Sequence, residues 1–220
     1  AAGRAALAAL GENAAEVVAF RGFDGEGRAA DEVGHFLEDR FKLGGVGHVV
    51  GAGAAGLFAS IWAARSAQAA GAPLRIVAFD GARRLGAKIL VAGGGRCNVT
   101  HACFDARELA AKFPRGEQAL LVPFMTFQAS DTVAWFQSRG VKLKTEDDGR
   151  MFPVSDDSQT IIDCIWQEMM RSKVQVYYHK TVEEIKPPSR LKGALQFTIH
   201  FSDKTTYEAD KVLIAAGGFP

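Results

Sequence analysis

A glycine-rich segment in the first half of the chain has the residue types and spacing of a phosphate-binding loop. Gly51, Gly53 and Gly56 form a G-x-G-x-x-G between an apolar stretch, residues 46–50, and a run of strong helix formers, residues 54–70. The first glycine permits a tight turn, the second lets the backbone approach a pyrophosphate, and the third allows close packing of helix on sheet. Backbone N–H groups at the helix start can then bind the anion without a cationic side chain.

An acidic residue ends the next apolar stretch. Asp80 follows residues 74–79, so strand, helix, second strand and acid stand in the order of a dinucleotide-binding β-α-β unit. The carboxylate can accept hydrogen bonds from ribose hydroxyls, and it repels a 2′-phosphate. This unit predicts a bound dinucleotide, with FAD or NAD preferred over NADP. The alternative is that the glycines only pack a helix against a strand.

A second glycine-rich segment follows this unit directly. Three adjacent glycines, residues 93–95, precede Arg96, Asn98 and Thr100, whose side chains supply hydrogen-bond donors. Three glycines in a row make a poor strand and a poor helix, so they indicate close approach of the backbone to a planar or anionic group. A plain NAD dehydrogenase has no need of such a loop. The alternative is a flexible surface loop.

The order of these motifs resembles that of the BaiN/YhiN-like flavoproteins, also called aminoacetone oxidase-like FAD-binding proteins or 3-dehydro-bile-acid reductase-like proteins. The resemblance covers residues 46–220. It rests on residues 49–57, Leu85-Gly86 with Lys88, residues 93–100, residues 149–153 with Ser155, and residues 210–218. The chain departs from the family pattern at Asp80, Ala87, His101 and Ser158, where Glu, Arg, Asn and Ala are usual.

This resemblance implies an FAD-binding Rossmann domain of the glutathione-reductase type. The implied cofactor contacts are Gly51, Gly53, Ala55 and Gly56 at the pyrophosphate, Asp80 at the adenosine ribose and Val182 beside the adenine, with Lys88, Gly95, Arg96 and Asn98 near the flavin or its ribityl chain and Ala216 and Gly217 on the far side. The implied chemistry is reduction of a conjugated enone with NAD(P)H or oxidation of an amine by oxygen.

Two arginines are candidate catalytic residues. Arg96 is a fixed cation that could stabilise the negative charge developing on a reduced flavin. Arg150, which follows an acidic turn at residues 146–148, could face the substrate; a surface turn arginine is the alternative. Cys97 has no C-x-x-C partner, so we expect a buried small hydrophobic residue rather than a redox thiol.

The remaining pattern predicts an α/β domain over residues 46–220. Helices are expected at residues 105–113, 130–139 and 156–173, the second with Ser130 as its N-cap. A strand is expected at 141–146, followed by a turn at 147–150. Val174, Val176 and Tyr178 alternate with polar residues, which indicates antiparallel structure. A β-meander at 181–209 and a parallel-type apolar strand at 211–215 complete the pattern.

The two ends of the chain carry weaker signals. Residues 1–45 are expected to be an unassigned N-terminal extension with no catalytic role, containing one amphipathic helix that carries Val33, Phe36, Leu37 and Phe41 on one face. An apolar strand leading into Gly217-Gly218 is a place where folds continue. We therefore expect the C-terminal part and the substrate domain to be missing from this chain.

Composition excludes several classes of function. The 220 residues carry 26 Lys+Arg against 25 Asp+Glu and are 48% hydrophobic, the profile of a soluble globular protein. A net charge of +1 without a basic stripe argues against nucleic-acid binding, and no apolar run is long enough to span a membrane. The histidines show no metal-ligand spacing. Three cysteines at no zinc or disulfide-framework spacing favour a reducing compartment, either the cytoplasm or an organelle.

The leading hypothesis from sequence is an FAD-dependent oxidoreductase that acts on a small-molecule substrate, with NAD(P)H as a candidate electron donor. Two alternatives remain at this point: a non-catalytic FAD-binding remnant that lacks its substrate domain, and an NAD-only dehydrogenase. The oligomeric state is open.

Overall fold

The structure is a computed structural model that describes residues 17–19, 45–72, 74–113, 116–189 and 196–217. In chain order its strands are β1 (Val17–Ala19), β2 (Gly45–Val50), β3 (Leu74–Phe79), β4 (Thr100–His101), β5 (Leu143–Thr145), β6 (Arg150–Pro153), β7 (Gln175–Tyr177), β8 (Val182–Lys186), β9 (Phe197–Phe201), β10 (Thr206–Ala209) and β11 (Lys211–Ile214). Its helices are α1 (Ala54–Ala69), α2 (Ala87–Val91), α3 (Ala106–Ala111), α4 (Glu117–Thr126), α5 (Ala129–Gln137) and α6 (Ser158–Arg171). The amphipathic helix expected around Val33 lies outside the described residues.

A five-stranded parallel sheet in the order β1-β11-β2-β3-β7 forms the centre of the domain. The four C-terminal residues of both β2 and β3 are buried, as expected for strands of a parallel sheet that is covered on both faces. Because all five strands run the same way, their carboxyl ends and the loops that follow them lie along one edge of the sheet.

Alternate side chains of the sheet pack into two different hydrophobic clusters, because successive side chains of a strand point to opposite faces. Val49 and Ile76 face the helices α1 and α6, whereas Val50 and Val77 face the strands β9 and β10. The helices therefore cover one face of the central sheet and the antiparallel sheet β10-β9-β8 covers the other.

The segment between β3 and β7 adds a second small sheet and a helical part. Strands β4, β6 and β5 pair antiparallel in that order, with Thr100 opposite Met151 and Leu143 opposite Pro153. Helices α3 and α4 pack on each other around a hydrophobic cluster of their own that includes Leu109 and Phe124. The small sheet holds the second glycine loop, as described below.

The predicted α/β Rossmann-type fold with a β-meander is confirmed. Three local expectations are wrong. Strand β7 pairs parallel with β3, from Gln175 opposite Val77 to Tyr177 opposite Phe79, and not antiparallel as predicted. The prediction rested on alternating apolar and polar residues, a pattern that an edge strand shows in either direction. Helix α5 is capped by Gln128 in a capping box with Asp131, not by Ser130. Arg150 begins strand β6, although the sequence predicted a turn that ends there.

A buried carboxylate fixes α6 against its neighbours. Glu168 is buried and lies 2.9 Å from an Arg139 nitrogen, 2.7 Å from one of Arg171 and 3.3 Å from one of Arg65. Burial works against its charge, but the hydrogen bonds from Arg139 and Arg171 outweigh this and lower the pKa of the carboxyl group. Glu168 therefore joins α6 to both α1 and the end of α5.

We predict that Glu168→Gln lowers the free energy of unfolding by about 2 kcal/mol, because charge-assisted hydrogen bonds to a buried carboxylate are lost. Urea titration followed by circular dichroism measures this loss. Glu184→Gln is the matched control, because Glu184 forms an exposed pair with Lys186, and its loss should be under about 0.5 kcal/mol. Equal losses in the two variants would show that the buried network does not stabilise the domain.

His48 makes stability depend on pH. Its ring is buried between the central sheet and the meander, with edges toward Phe79 and Tyr207, and burial lowers its pKa from 6.5 to about 4. As pH falls below 6.5, the unfolded state takes up a proton that the folded state refuses, so the free energy of unfolding decreases.

We predict a loss of up to about 3 kcal/mol between neutral pH and about pH 4 from this one imidazole. His48→Phe should flatten this part of the stability–pH curve, whereas His179→Gln, at an exposed position, should leave the curve unchanged. A curve for His48→Phe with the wild-type slope would contradict the assignment.

Candidate dinucleotide-binding site

The backbone crosses itself closely where β2 ends. Gly51 has a φ of +101°, and a Cβ atom on it would lie 2.3 Å from the carbonyl oxygen of Ala215 and 2.9 Å from the Cα of Ala216. The Gly51 N–H donates to the carbonyl of Phe79 at 2.8 Å. This position, where the carboxyl ends of β2, β3 and β11 meet, therefore accepts only glycine, because a side chain would overlap the backbone that follows β11.

The other two glycines of the motif differ in what surrounds them. A Cβ on Gly56 would lie 1.8 Å from the carbonyl oxygen of Gly51, so Gly56 lets α1 pack on the loop. Gly53 is the N-cap of α1 in an extended conformation, and a Cβ there would meet nothing within 4 Å. The open side of Gly53 adjoins the free N–H groups of a 16-residue helix, and Ala55 lies in its first turn.

The Asp80 side chain forms hydrogen bonds within the protein that fix this loop. One carboxylate oxygen accepts from the Ala52 N–H at 2.7 Å and the other from the Ala82 N–H at 2.7 Å. Asp80 therefore ties the end of β3 to the phosphate-binding loop. Each carboxylate oxygen keeps a second lone pair, so the predicted ribose contact stays a prediction.

Two other predicted contact regions lie beside this loop. Gly217 has a φ of +79°, and a Cβ on it would lie 3.5 Å from the Lys88 Nζ atom, so α2 reaches the end of β11. On the other side, the Lys180 N–H donates to the Asp80 carbonyl at 2.9 Å, which sets the strand of Val182 beside the end of β3. The structure thus gathers the first-loop residues, Asp80, Lys88, Ala216 and Gly217 at one sheet edge.

The second glycine loop has one packed side and one open side. Gly93, Gly94 and Gly95 have φ values of +56°, +71° and +86°. A Cβ on Gly93 would lie 2.8 Å from the Phe152 ring and 2.9 Å from the backbone nitrogen of Asn98, whereas one on Gly94 would meet nothing within 4 Å. Three consecutive left-handed residues explain the glycines, and Gly94 leaves the backbone accessible to a planar ligand.

Asn98 and Cys97 lie on the packed side of this loop. The Asn98 amide donates to the carbonyls of Thr100 at 2.9 Å and Met151 at 3.3 Å, which anchors the loop on β4 and β6. Cys97 is buried, and desolvation raises the pKa of its thiol to about 11. The thiol stays protonated at neutral pH, in agreement with the expectation of a small buried residue.

Arg96 lies next to the loop in a set of ion pairs. Its guanidinium forms hydrogen bonds with Glu146, lies 3.5 Å from an Asp156 oxygen and stacks on the Phe152 ring at 4.0 Å. The hydrogen bond to Glu146 is the main cause that raises the pKa of Arg96. Glu146, in the acidic turn at residues 146–148, is therefore a partner of the predicted catalytic arginine.

Arg150, the second catalytic candidate, is held by the same turn. Its Nε donates to an Asp148 oxygen at 2.7 Å, and its guanidinium lies 3.7 Å from Glu146 and 5.4 Å from the Phe152 ring centre. Sequence reasoning missed Glu146 and Phe152. The signal that could have found Phe152 is its place in the 149–153 motif, beside Arg150.

Comparison with known proteins assigns the family. Residues 47–220 match the model of the HI0933-like protein Rossmann domain. The chain belongs to this family. It is 31% identical over 170 residues to the 3-dehydro-bile acid delta(4,6)-reductase of Clostridium scindens and 27% identical over 170 residues to the ribosomal RNA dihydrouridine synthase of Escherichia coli. Each alignment covers 77% of this chain and 38% of the relative, so the chain spans less than half the length of these relatives.

Solved structures resemble the chain at low sequence identity. Thermovibrio ammonificans THI4 is 16% identical, with a TM-score of 0.48, and the match covers 83% of this chain and 62% of that one. DfoA of Erwinia amylovora, solved bound to FAD, is 10% identical with a TM-score of 0.38, and the match covers 84% of this chain and 38% of that one.

A membrane-spanning helix and a cluster of metal ligands are both absent from the described residues. None of the helices in the described ranges is long and apolar enough to cross a membrane. Within the same ranges, no group of three or more His, Cys, Asp or Glu side chains could hold a metal ion.

Gly53 and Gly56 of the first loop give a matched test. We predict that Gly53→Ala changes the free energy of unfolding by less than about 1 kcal/mol, because its added methyl meets open space and only the N-cap preference changes. The same variant should weaken dinucleotide binding at least about tenfold, since the methyl occupies the approach of the phosphate.

Gly56→Ala should behave in the opposite way and lose about 3 kcal/mol or more, because its methyl would overlap the Gly51 carbonyl. Urea unfolding and ligand titration of both variants measure the two effects. If Gly53→Ala bound FAD as tightly as the wild type does, the open side of Gly53 would not be the phosphate site.

Proposed function

We propose that the protein is the FAD-binding part of an FAD-dependent oxidoreductase that uses NAD(P)H to reduce a carbon–carbon double bond conjugated with a carbonyl group. The observation that carries this proposal is the pair of glycine loops. Each loop has a packed side and an open side, and the Lys88 side chain lies beside Gly217, which brings α2, the helix before the second loop, next to the edge that holds the first.

The residues present fit an extended dinucleotide. The α1 N-terminus beside Gly53 suits a pyrophosphate, and the open backbone at Gly94 suits a planar ring. An NAD-only dehydrogenase would leave the second loop without a role. Packing among Gly93, Asn98 and Phe152 keeps that loop in a conformation that only glycine adopts readily. Backbone held in such a conformation by its surroundings is typical of ligand sites.

The names of the relatives supply the reaction class. The Clostridium scindens relative is named a reductase of the delta(4,6) double bonds of a 3-dehydro bile acid, and the Escherichia coli and Haemophilus influenzae relatives are named for making dihydrouridine. Both names describe saturation of a carbon–carbon double bond. In a 3-oxo steroid and in a uracil ring that double bond is conjugated with a carbonyl, so addition of a hydride to one carbon and a proton to the other would saturate either.

FAD, when bound, would supply the hydride-transfer chemistry, and the chain would bind and orient it. The N–H groups of the first turn of α1 would bind its phosphate oxygens. Arg96, which is paired with Glu146, would lie beside the second loop, where its positive charge would interact with the negative charge of a reduced ring. Cys97 stays a protonated thiol and takes no part as a nucleophile.

We further propose a small-molecule substrate, no nucleic-acid or membrane partner and a cytoplasmic location. The relatives that act on ribosomal RNA raise the question of an RNA substrate. Arg65, Arg96, Arg139, Arg150 and Arg171 each lie in an ion pair, so these five cations already have a partner within the chain. A net charge of +1 adds no general attraction for a polyanion.

We predict that FAD raises the melting temperature of the 220-residue chain and gives it a yellow colour, and that NAD at the same concentration does neither. A spectrum recorded during anaerobic addition of NADH and then NADPH identifies the electron donor by bleaching of the flavin band. Stabilisation by NAD but not by FAD would contradict the proposal and favour a nicotinamide dehydrogenase.

A further inference from the structure

The ion pairs beside the second glycine loop form one connected cluster. Its three cations are Arg96, Lys144 and Arg150, and its three anions are Glu146, Asp148 and Asp156. We call these six side chains the charge cluster. Its formal charges cancel, so removal of any one member leaves a single uncompensated charge of known sign next to the loop.

Glu146 is the anion that matters most for Arg96. It accepts from both terminal nitrogens of the guanidinium, the second at 3.4 Å, whereas Asp156 lies 3.5 Å away and is also bonded to Lys144. Asp148 contacts Arg150 and not Arg96. The three carboxylates therefore neutralise Arg96 in the order Glu146, Asp156, Asp148.

Phe152 lies between Arg96 and the second glycine loop. Its ring is fully buried, lies 4.0 Å below the Arg96 guanidinium and stands 2.8 Å from the place a Cβ of Gly93 would occupy. The guanidinium thus rests on the ring against which the loop is packed. Cation–π contact and the bonds to Glu146 hold the charge in one place.

We propose that Arg96 and Glu146 act as a matched charge pair that sets the reduction potential of the bound flavin, with Glu146 as the positioning residue for Arg96. This inference rests on the proposed function. Two-electron reduction of the oxidised ring with uptake of one proton leaves one negative charge on it. A nearby free cation stabilises that charge and a nearby free anion opposes it, so the pair balances the two effects.

The test is the midpoint potential of bound FAD, measured by anaerobic dye titration at mildly alkaline pH. Glu146→Gln leaves Arg96 uncompensated and should raise the potential. Arg96→Met leaves Glu146 uncompensated and should lower it, and the double variant should return close to the wild type. We expect each single change to alter the ratio of affinities for reduced and oxidised FAD at least about tenfold, which is about 30 mV for two electrons.

Two further variants separate charge from structure. Asp148→Asn removes the same formal charge from the same turn but from Arg150, so its shift should be smaller than that of Glu146→Gln. Glu146→Asp keeps the charge and should hold a potential close to the wild type, whereas Gln keeps the size and should not. Urea unfolding of each variant checks that the loop remains folded.

Opposite shifts in the two single variants, with the double variant close to the wild type, would support the charge pair. Shifts of the same sign in Glu146→Gln and Arg96→Met, equal shifts in Glu146→Gln and Asp148→Asn, or no shift with FAD bound would overturn this inference and leave the proposed function intact. Failure of the wild-type chain to bind FAD would overturn both together.

Discussion

The structure depends on one close crossing of backbones at the carboxyl edge of the central sheet. Gly51 passes between the ends of β3 and β11 with no room for a side chain, and α1 starts from this point with Gly56 resting on the Gly51 carbonyl. Asp80 closes the arrangement through its bond to Ala52. The loop that would hold the phosphates is thus fixed by packing and hydrogen bonds within the chain itself, which lowers the entropic cost of binding.

The second loop follows the same principle with different means. Its glycines adopt left-handed conformations that a buried phenylalanine, an asparagine amide and a buried cysteine hold from one side. Around it lies a neutral set of ion pairs in which the arginine nearest the loop is balanced by a carboxylate from β5's end. A rigid backbone and a balanced set of charges are what the proposed flavin site would need to bind its cofactor and adjust its chemistry.

The sequence predicted the features that depend on neighbours along the chain. The strand, glycine loop, helix and second strand of the first β-α-β unit are local, and the structure has them with bounds that differ by one residue at most. The pairing of Arg96 with Glu146 joins residues 50 positions apart, and Phe152 reaches Gly93 through tertiary packing. No spacing rule identifies such pairs. The direction of β7 was wrong because burial on one face does not depend on the direction of pairing.

The contacts of the cofactor with these residues are most directly tested by a crystal structure of the chain with FAD. The account predicts the pyrophosphate at the N-terminus of α1 over Gly53, and the flavin ring beside Gly94 with Arg96 near it. A pyrophosphate bound elsewhere, or a flavin ring that leaves the Gly93–Gly95 loop in contact with solvent, would contradict it.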